Sequence, residues 1–399
     1  MRSEVQAFTC CYEWLLKYRD TLRGKALQSF SGGPIKADRE DLSHIRIENC
    51  VGFVSVPLGI AGPLRVAGPD LQLERAFAPL ATTEAALVAS CSRGCKAFNL
   101  CGGLQFDILG NSISRAPVFG FETPKEAIAF ARFVPEIQGE FAKSAESTSR
   151  HLRFQNMVSH IIGSTVHLFI SYHCGDATGQ NMVTIATQHA CDKLVEYLQG
   201  GQHRVKFTRI EGQLSSDKKP SWSNVKHGRG VEVIAWGSLS NEVCESVLGC
   251  TSESLYTLIR TLKDGGIRNG QFGDNLNTAN IIAAIFISTG QDAGSIAEAS
   301  WTHLVPEYDH TTKDLQLSLY CPSLPVGVVG GGTGYESQKE CLKMMNCVGP
   351  GKKEQLAGLI ASFALALEIS TGAAAASNTF SESHQRLARG VDSLPRSKI

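Results

Sequence analysis

The pattern of apolar and polar residues predicts helices and strands in turn along the first hundred residues. Residues 4–30 have helical spacing, which a Ser-Gly-Gly-Pro run at 31–34 ends. Residues 51–66 are rich in valine, isoleucine, glycine and proline and indicate strand and turn. From residue 82 to residue 98, small and apolar residues recur every three or four positions. This spacing predicts a helix that Thr83 could cap.

A strand, a polar turn and a helix are predicted in that order in the middle of the chain. Residues 165–172 form the strand, 174–176 the turn, and a helix follows to about residue 198. Such a unit can present the N-terminus of its helix to a phosphate. Ahead of it, residues 124–150 predict two helices, the second starting around Pro135.

A loop, a strand and three helices are predicted in the second half of the chain. We expect a polar loop at 204–221, a strand at 231–237, and helices near 241–263, 275–289 and 354–377. The last helix is rich in small residues and carries Glu368, so it is typical of a buried helix and not of a membrane span.

Length and composition indicate a protein of several structural units and argue against some classes of partner and site. The chain has 399 residues, so two or more structural units are expected. Lysine plus arginine and aspartate plus glutamate number 38 each, and this balance argues against nucleic acid as a partner. The 13 cysteines form no repeated CxxC pairs, so neither a metal site nor a disulfide framework is expected. Free cysteines fit a reducing compartment.

Neither terminus predicts a membrane segment. The N-terminal residues mix acidic and basic side chains and have no apolar signal-peptide core. At the other end, Ser397-Lys398-Ile399 differs from the peroxisomal address Ser-Lys-Leu only in its last aliphatic residue. We therefore expect a soluble protein that is either cytoplasmic or peroxisomal.

Four polar segments carry candidate chemistry, and each has an ordinary structural explanation when taken alone. They are Glu84 at a predicted helix start, Asp217-Lys218-Lys219 ahead of Pro220, Asp292 after an apolar helix, and His384 after the alanine-rich helix. A glutamate at a helix start is usually only a partner of the helix dipole. Paired lysines are usually solvated, and a lone aspartate after a helix is usually a cap.

A glycine run at 327–333, GVVGGGT, is more specific. Consecutive glycines after an apolar segment let backbone amides approach a ligand closely, as at phosphate sites. The run matches neither a Walker loop nor a Rossmann fingerprint. The alternative explanation is a tight structural bend.

Taken together, these segments resemble the hydroxymethylglutaryl-coenzyme A (HMG-CoA) reductase family. The matching stretches, in order, are 48–52, 56–64 (VPLGIAGPL), 81–84, 93–96, 176–182 (DATGQNM), 217–220 (DKKP), 290–292 and 327–333. They run from about residue 48 to His384, so the resemblance covers nearly the whole chain.

The resemblance implies an oxidoreductase that reduces an acyl-CoA thioester with NADPH, most simply HMG-CoA to mevalonate and CoA in isoprenoid biosynthesis. It assigns catalysis to Glu84, Lys218, Asp292 and His384. Lys218 would stabilise the developing oxyanion, and a protonated, buried Glu84 would deliver a proton. Asp292 would lie between them and keep Lys218 charged, and His384 would protonate the departing thiolate.

The resemblance also implies the binding residues. Those for NADPH are Ser149, Arg150, Asp176, Thr178, Gly179, Gln180, Asn181, Gly330, Gly331, Gly332 and Thr333. Arg150, with Ser149, matches positions that favour the 2′-phosphate of NADPH over NADH. Those for the acyl-CoA are Ser90, Arg93, Lys96, Arg115, Glu211, Asp217, Lys219 and Asn275.

The fold implied by the resemblance is α+β. A helical N-terminal segment (1–52) would precede a large α/β domain for the CoA thioester (53–115 and 222–399). A small ferredoxin-like cofactor domain (116–209) would be inserted in it, followed by a catalytic loop (210–221). The resemblance further implies a homodimer or homotetramer with shared active sites, in which the loop of Lys218 meets Asp292 across subunits.

The chain departs from the family pattern at several positions. Ala85 replaces a glycine, Thr178 a methionine and Ile296 an amide, and Arg260 stands where a lysine is expected. Most important, Glu211 replaces a serine that helps to hold the free carboxylate of the acyl group. Two carboxylates within ~4 Å repel by about 1 to 4 kcal/mol.

Two alternatives to an HMG-CoA reductase therefore stay open. One is a diverged reductase acting on another branched acyl-CoA or its aldehyde in a specialised pathway. The other is a non-catalytic relative that binds CoA thioesters or inhibitors, against which the presence of all four catalytic residue types argues.

Overall fold

A computed structural model describes residues 45–48, 50, 53–69, 71–199 and 203–379 of the chain. The predicted helix at 4–30, His384 and the C-terminal tripeptide lie outside the described residues. The fold below belongs to the unit that starts at Leu58, and the residues before it form a unit of their own.

The described part of this unit contains ten strands. They are β1 Leu58–Gly68, β2 Leu71–Ala81, β3 Leu104–Arg115, β4 Val118–Gly120, β5 Arg153–Ile162, β6 Thr165–His173, β7 Phe207–Arg209, β8 Gly230–Leu239, β9 His303–Tyr308 and β10 Leu315–Leu324. 

Helices separate most of these strands. They are α1 Leu87–Leu100, α2 Pro124–Glu146, α3 Gln180–Leu198, α4 Trp222–His227, α5 Asn241–Val243, α6 Ser252–Arg268, α7 Thr278–Thr289, α8 Ile296–Ala299, α9 Glu336–Met344 and α10 Lys353–Ala376. A π-helical turn, Cys244–Leu248, extends α5, and 3₁₀ turns occupy Ala293–Ser295 and Gly331–Gly334.

Strand β3 belongs to two sheets. Its first part pairs antiparallel with β8, from Gln105↔Trp236 to Ser112↔Gly230. Its last residues pair with β6 instead, from Ile113↔Tyr172 onward. The larger sheet has the order β9-β10-β8-β3-β1-β2, and the smaller has the order β7-β4-β6-β5 with β3 beside β6. One continuous strand therefore joins the two sheets.

The smaller sheet and its helices form a ferredoxin-like unit, as expected. In chain order the elements are β4, α2, β5, β6, α3 and β7, which is the βαββαβ order of that fold. A separate apolar core fills the space between its helices and its sheet, with Phe119, Phe130, Leu168 and Tyr172 almost fully buried. 

Helix α10 runs through the larger core and is buried on nearly all sides from Lys353 to Ala374. Its length and mean hydropathy of 1.6 would suit a membrane span, but 83% of that stretch is buried inside the protein. Small side chains permit this close packing, since a Cβ added at Gly94 of α1 would lie 1.8 Å from the Ala366 carbonyl oxygen. The prediction of a buried helix is confirmed.

Three predicted helices have wrong boundaries. The helix predicted at 241–263 is interrupted at Gly249 and resumes as α6, which runs to Arg268. Pro135 does not start a second helix but lies inside α2. The buried stripe of that helix continues past it through Val134, Ile137 and Phe141, and this packing outweighs the lost backbone hydrogen bond of about 3 kcal/mol. Helix α1 begins at Leu87 after Ala86 in a left-handed conformation (φ 74°), so Thr83 does not cap it.

Candidate active site

Lys218 and Asp292 form an ion pair within one chain, with 2.8 Å between Lys218 Nζ and Asp292 Oδ2. Asp292 follows α7, whose C-terminal end the sequence predicted and which ends at Gly290. Asp292 Oδ1 accepts a hydrogen bond from the Gly294 backbone N–H at 2.9 Å, which fixes its rotamer. The expectation that these two side chains meet only across subunits is wrong, because a single chain brings them together.

The two charges of this pair support each other. The hydrogen bond to Asp292 raises the pKa of Lys218 above its ordinary value. Partial burial alone would raise the pKa of Asp292, but the hydrogen bonds from Lys218 and from Gly294 outweigh it and hold that pKa below its ordinary value. Both groups are therefore ionised near neutral pH. The Lys218 side chain is 46% exposed, so a bound carbonyl oxygen can reach its ammonium group.

The loop that carries Lys218 has an unusual backbone. Gln213, Ser216 and Lys218 have φ values of 66°, 56° and 61°. This region costs a non-glycine residue roughly 1–2 kcal/mol. Asn224, buried in α4, helps to hold the loop by donating to the carbonyls of Lys219 at 2.8 Å and Ser216 at 3.5 Å. Lys218 is therefore braced on both sides.

Two arginines hold the residue before Lys218. Asp217 Oδ2 lies 3.0 Å from Arg115 Nη1, and Asp217 Oδ1 lies 2.9 Å from Arg229 Nη2. Arg115 is anchored in turn, since its Nε donates to Thr184 Oγ1 of α3 at 2.8 Å. Of the residues assigned to substrate, Arg115 and Asp217 thus bind each other under the loop, whereas Lys219 beside them is exposed.

Glu211 makes its contacts inside the same loop. Its Oε1 accepts from the Gln213 backbone N–H at 2.7 Å, and its Oε2 accepts from Ser215 Oγ at 2.7 Å. Arg115 Nη1 lies 3.4 Å from the same Oε2. Both carboxylate oxygens therefore have donors within the protein. The expected repulsion of a substrate carboxylate by Glu211 is thereby reduced, because Arg115, shared with Asp217, offsets part of its charge.

Glu84 lies elsewhere in the chain. It is exposed, and its Oε2 accepts a hydrogen bond from Asn280 Nδ2 at 2.7 Å. Asn280 lies in the first turn of α7 and Asp292 beyond its end at Thr289, and the helical rise of 1.5 Å per residue puts roughly 14 Å between Asn280 and Thr289 alone. The expectations that Glu84 is buried and that Asp292 lies between it and Lys218 are wrong for a single chain.

The residues assigned to the cofactor meet at the start of α3. Gly179 is left-handed (φ 95°) and no side chain caps the helix, so its first backbone amides are available to an anion. The glycine run packs against this turn: Val328 N donates to Asp176 O at 2.8 Å, and Ala177 bridges to Val329. A Cβ at Gly327 would lie 2.4 Å from Thr178 N.

Around Gly330 and Gly331 the space is open. Both have positive φ, and a Cβ added at either would meet no atom within 4 Å. Thr333 closes the run by donating from Oγ1 to the Gly330 carbonyl at 2.6 Å. Gly332 packs against Gly290, where a Cβ would lie 2.3 Å from the Gly332 carbonyl. These glycines and the α3 N-terminus form a cradle of backbone groups that suits a diphosphate.

The cradle adjoins the ion pair. Gln291, next to Asp292, exchanges two hydrogen bonds with the backbone of Gly327, at 2.8 Å and 2.9 Å. Gln180, the first residue of α3, donates to Ser295 Oγ at 3.3 Å. The predicted cofactor turn and glycine run therefore lie beside the Lys218–Asp292 pair, whereas the Asp176 side chain is bonded elsewhere. Its carboxylate accepts from the Gly351 backbone N–H at 3.0 Å.

Ser149 and Arg150 lie at the same end of the smaller sheet as the cradle. Arg153 pairs with His173 in the ladder between β5 and β6, three residues from Arg150 and three from Asp176 respectively. The Arg150 side chain is exposed, and its Nε donates to His151 Nε2 at 3.0 Å. Arg150 is thus available to a phosphate near the cradle. Asn181 is likewise exposed on the first turn of α3.

Two of the residues assigned to CoA join helices instead of facing the ion pair. Ser90 Oγ is 2.9 Å from Ser370 Oγ, and Arg93 Nε donates to the same oxygen at 2.9 Å. These bonds fasten α1 to α10. Lys96, one turn further along α1, is exposed.

Asn275 lines a cavity of about 380 Å³ together with Lys263, Asp274 and Thr371. Its side-chain amide donates to the Ser300 carbonyl at 2.9 Å. Lys263 binds Asp274 across this cavity at 2.8 Å. Arg260, which stands where the family pattern has a lysine, instead stacks on the Tyr256 ring.

Several residues of the site were not predicted from the sequence. Arg229, Glu298, Asn224, Asn280 and Gln291 all contact a predicted residue or its partner. Gln291 stands inside a recognised motif and could have been found from it. The others lie in segments without a motif, and only the fold brings them to the site.

Comparison with known proteins agrees with this geometry. A sequence profile described as hydroxymethylglutaryl-coenzyme A reductase matches residues 16–389. The 3-hydroxy-3-methylglutaryl-coenzyme A reductase of Aeropyrum pernix is 37% identical over 94% of this chain and 88% of its own. The reductase of the same name from Methanothermobacter thermautotrophicus is 38% identical over 88% of this chain and 87% of its own.

Solved structures share the fold. The 3-hydroxy-3-methylglutaryl-coenzyme A reductase of Streptococcus pneumoniae aligns with a TM-score of 0.65 at 18% identity, over 91% of this chain and 96% of its own. A class II reductase from the same organism, solved bound to NADPH, aligns with a TM-score of 0.62 over 82% and 78% of the two chains.

Proposed function

Since this chain belongs to the hydroxymethylglutaryl-coenzyme A reductase family, we propose that it reduces HMG-CoA to mevalonate and free CoA with two molecules of NADPH. The observation that carries this proposal is the solvent-facing Lys218–Asp292 ion pair beside a cradle of backbone amides and glycines. A relative that only bound CoA thioesters would have no use for a charged lysine held in this way.

Lys218 is the electrostatic centre of the proposed reaction. When bound, NADPH supplies the hydride for each of the two reductions. Each reduction develops negative charge on the carbonyl oxygen, and Lys218 Nζ offers a fixed cation there. Asp292 keeps Lys218 protonated and orients it through the 2.8 Å contact. In the proposal, His384 protonates the departing thiolate of CoA.

The cradle fits a dinucleotide phosphate. Uncapped amides at the start of α3 favour an anion, and the open space at Gly330 and Gly331 admits one to the backbone. Arg150 is exposed at the same end of the sheet, where its planar guanidinium suits a 2′-phosphate. These features support NADPH as the cofactor.

Glu84 completes the site only if a second subunit provides it. Within one chain, Glu84 contacts the first turn of α7 and the ion pair lies beyond its last turn, and the helix between them is roughly 14 Å long. A proton donor must come within hydrogen-bonding distance of the reacting oxygen. We therefore propose a homodimer or a higher oligomer with shared sites, in which Glu84 of the partner subunit approaches Lys218.

The acyl group that fits best is the dicarboxylic one. Glu211 accepts hydrogen bonds from Ser215 and Gln213 within its loop and shares Arg115 with Asp217, so its charge is partly offset before a substrate carboxylate binds. In the proposal, the substrate carboxylate approaches Lys263, which is 42% exposed beside the cavity that Asn275 lines and which pairs with Asp274 in the free protein. This cavity adjoins the start of α7, the end that Glu84 contacts, so it belongs to the same half of a shared site as Glu84. These contacts favour HMG-CoA over an acyl-CoA without a free acid.

The test is an assay at the nicotinamide absorbance with NADPH and a panel of acyl-CoAs. HMG-CoA should be reduced, and acyl-CoAs of similar length without the free carboxylate should not. Lys218→Met should lower kcat by at least ~100-fold with the fold unchanged, as for loss of a preorganised donor. Lys226→Met, an exposed lysine on α4, is the matched control. Normal turnover in Lys218→Met would remove Lys218 from the mechanism.

A further inference from the structure

A buried arginine connects the two segments that carry the catalytic ion pair. The Arg229 side chain is fully buried, and its Nη1 donates to both carboxylate oxygens of Glu298 at 2.9 Å. Glu298 is also fully buried. Arg229 Nη2 lies 2.9 Å from Asp217 Oδ1 on its other side. One guanidinium group therefore binds two carboxylates from distant parts of the chain.

Each carboxylate belongs to the segment of one catalytic residue. Glu298 lies in α8, six residues after Asp292 and joined to it by the 3₁₀ turn Ala293–Ser295. Asp217 directly precedes Lys218. We propose that Arg229 is a positioning residue for catalysis, a clamp that holds the loop of Lys218 against the segment of Asp292.

The clamp has a rigid base. The Arg229 backbone N–H donates to Ser323 Oγ of β10 at 2.9 Å, and β8 begins at the next residue. Ser323 Oγ donates in turn to the Asn224 carbonyl at 2.9 Å. Arg229 is therefore fixed to the central strands of the larger sheet. Both bound segments are positioned relative to that sheet.

The loop needs such a support. Ser216 and Lys218 have left-handed backbones on either side of Asp217, and this conformation is unfavourable for residues with a Cβ. Strain of this kind persists only where the surroundings hold it. Arg229 and Arg115 provide the two charged contacts to Asp217. Without Arg229, we expect the loop to relax and Lys218 Nζ to leave Asp292.

Stability alone does not explain the buried pair. Burial raises the pKa of Glu298, while the charge of Arg229 acts against that change. Removing two charges from water is costly, and apolar replacements of a buried ion pair are often neutral for stability or even stabilising. The double variant Arg229→Met/Glu298→Leu should therefore fold, which makes the positioning role testable on its own.

The first measurement does not need turnover. Lys218, held by Asp292, should react slowly with an amine-acylating reagent, followed by mass spectrometry at pH 8. In the double variant Lys218 should react several-fold faster, while Lys226 reacts at the same rate. Asp292→Asn frees Lys218 directly and sets the upper limit. Only the kinetic measurement rests on the proposed function. Labelling of Lys218 tests the clamp even if the protein is not a reductase, so the two failures are distinguishable.

The second measurement is kinetic. The double variant should show kcat lowered by about 100-fold, as expected for a catalytic group displaced by about 1 Å, with the KM for NADPH unchanged. Arg229→Lys retains one charged contact and should recover part of kcat. If the double variant does not fold, Asp217→Asn replaces it in both measurements. This substitution weakens the clamp on the loop side only. Wild-type labelling of Lys218 together with wild-type kcat in a folded variant would overturn the proposal.

Discussion

Glu211 uses both carboxylate oxygens within its own loop. Ser215 and the Gln213 backbone donate to it, and Arg115 lies beside it. A serine at this position, as in the family pattern, could not accept all these contacts at once. Arg115 would then have Asp217 as its remaining carboxylate partner in this network. The substitution therefore changes how the loop is held more than it changes the charge that a substrate meets.

We expect Glu211→Ser to lower activity on HMG-CoA and not to raise it. Loss of the loop hydrogen bonds should reduce kcat/KM by roughly 10-fold, equivalent to about 1.4 kcal/mol. Glu211→Gln keeps an acceptor oxygen and should recover part of the loss. Steady-state kinetics on the three proteins would check this. A gain of activity in Glu211→Ser would show that the carboxylate does repel the substrate.

At the scale of single residues, short motifs indicated which residues to examine better than they indicated what surrounds each of them. Lys218, Asp292 and the glycine run were found because their chemistry is carried by short stretches of sequence. The environment of Glu84 was not, since its partner Asn280 lies 196 residues further along. Burial is set by what packs nearby, and a local pattern holds no information about that.

Among the helices, α10 begins with an unusual residue. Lys353 is buried, and its ammonium group donates to the Ala177 carbonyl at 3.1 Å, next to the cofactor turn. Burial lowers the pKa of Lys353 to about 8. Lys352 beside it is only half-buried. The start of α10 therefore carries a titratable link to the turn that leads into α3.

This link predicts a pH dependence of stability. The unfolded chain keeps the ordinary lysine pKa near 10.5, so between pH 8 and pH 10.5 it binds more protons than the folded protein does. The free energy of unfolding of the wild type should thus rise relative to Lys353→Met, by up to about 1.4 kcal/mol per pH unit. Below pH 8 the difference should be constant. Urea denaturation from pH 7 to pH 10 measures it.

Lys352→Met is the matched control for this experiment. It removes the same charge from the adjacent position, where the side chain is only half-buried and donates to Gln355. If the difference in free energy of unfolding between Lys353→Met and the wild type were constant from pH 7 to pH 10, the buried amine would not titrate in this range.

At the scale of elements, the sequence pattern predicted the helices and strands whose position depends on neighbouring residues in the chain. Strand β6 and helix α3 follow from alternation and a turn, and both were found. The continuity of α2 through Pro135 depends on an apolar stripe that packs on the smaller sheet. The start of α1 at Leu87 depends on the left-handed Ala86. Such tertiary contacts override local propensity.

For the whole molecule, the separation of Glu84 from the Lys218–Asp292 pair divides the catalytic residues into two groups. Each group is intact in one chain, but the two lie at opposite ends of α7. If the site is shared between subunits, a hybrid of two differently inactivated chains must contain one site with both groups intact.

Co-expression of Glu84→Gln and Lys218→Met chains with different tags tests this directly. Random pairing should restore about a quarter of wild-type activity, since half of the dimers are hybrids with one complete site each. Lys218→Met with Asp292→Asn is the control. Those two residues belong to the same group, so no hybrid site is complete. Absence of activity in both mixtures would place the whole site within one chain.

Strand β3 connects the smaller sheet both to the larger sheet and to the catalytic loop. It leaves the larger sheet at Ser112, enters the smaller one at Ile113, and has an irregular register between Ile108 and Gly110. Arg115 lies at the far end of this strand and holds Asp217 of the catalytic loop. Because Arg115 binds Asp217, a rotation of the smaller sheet about this joint would also displace the loop that carries Lys218. If the smaller sheet moves when cofactor binds, we therefore expect Lys218 to move with it.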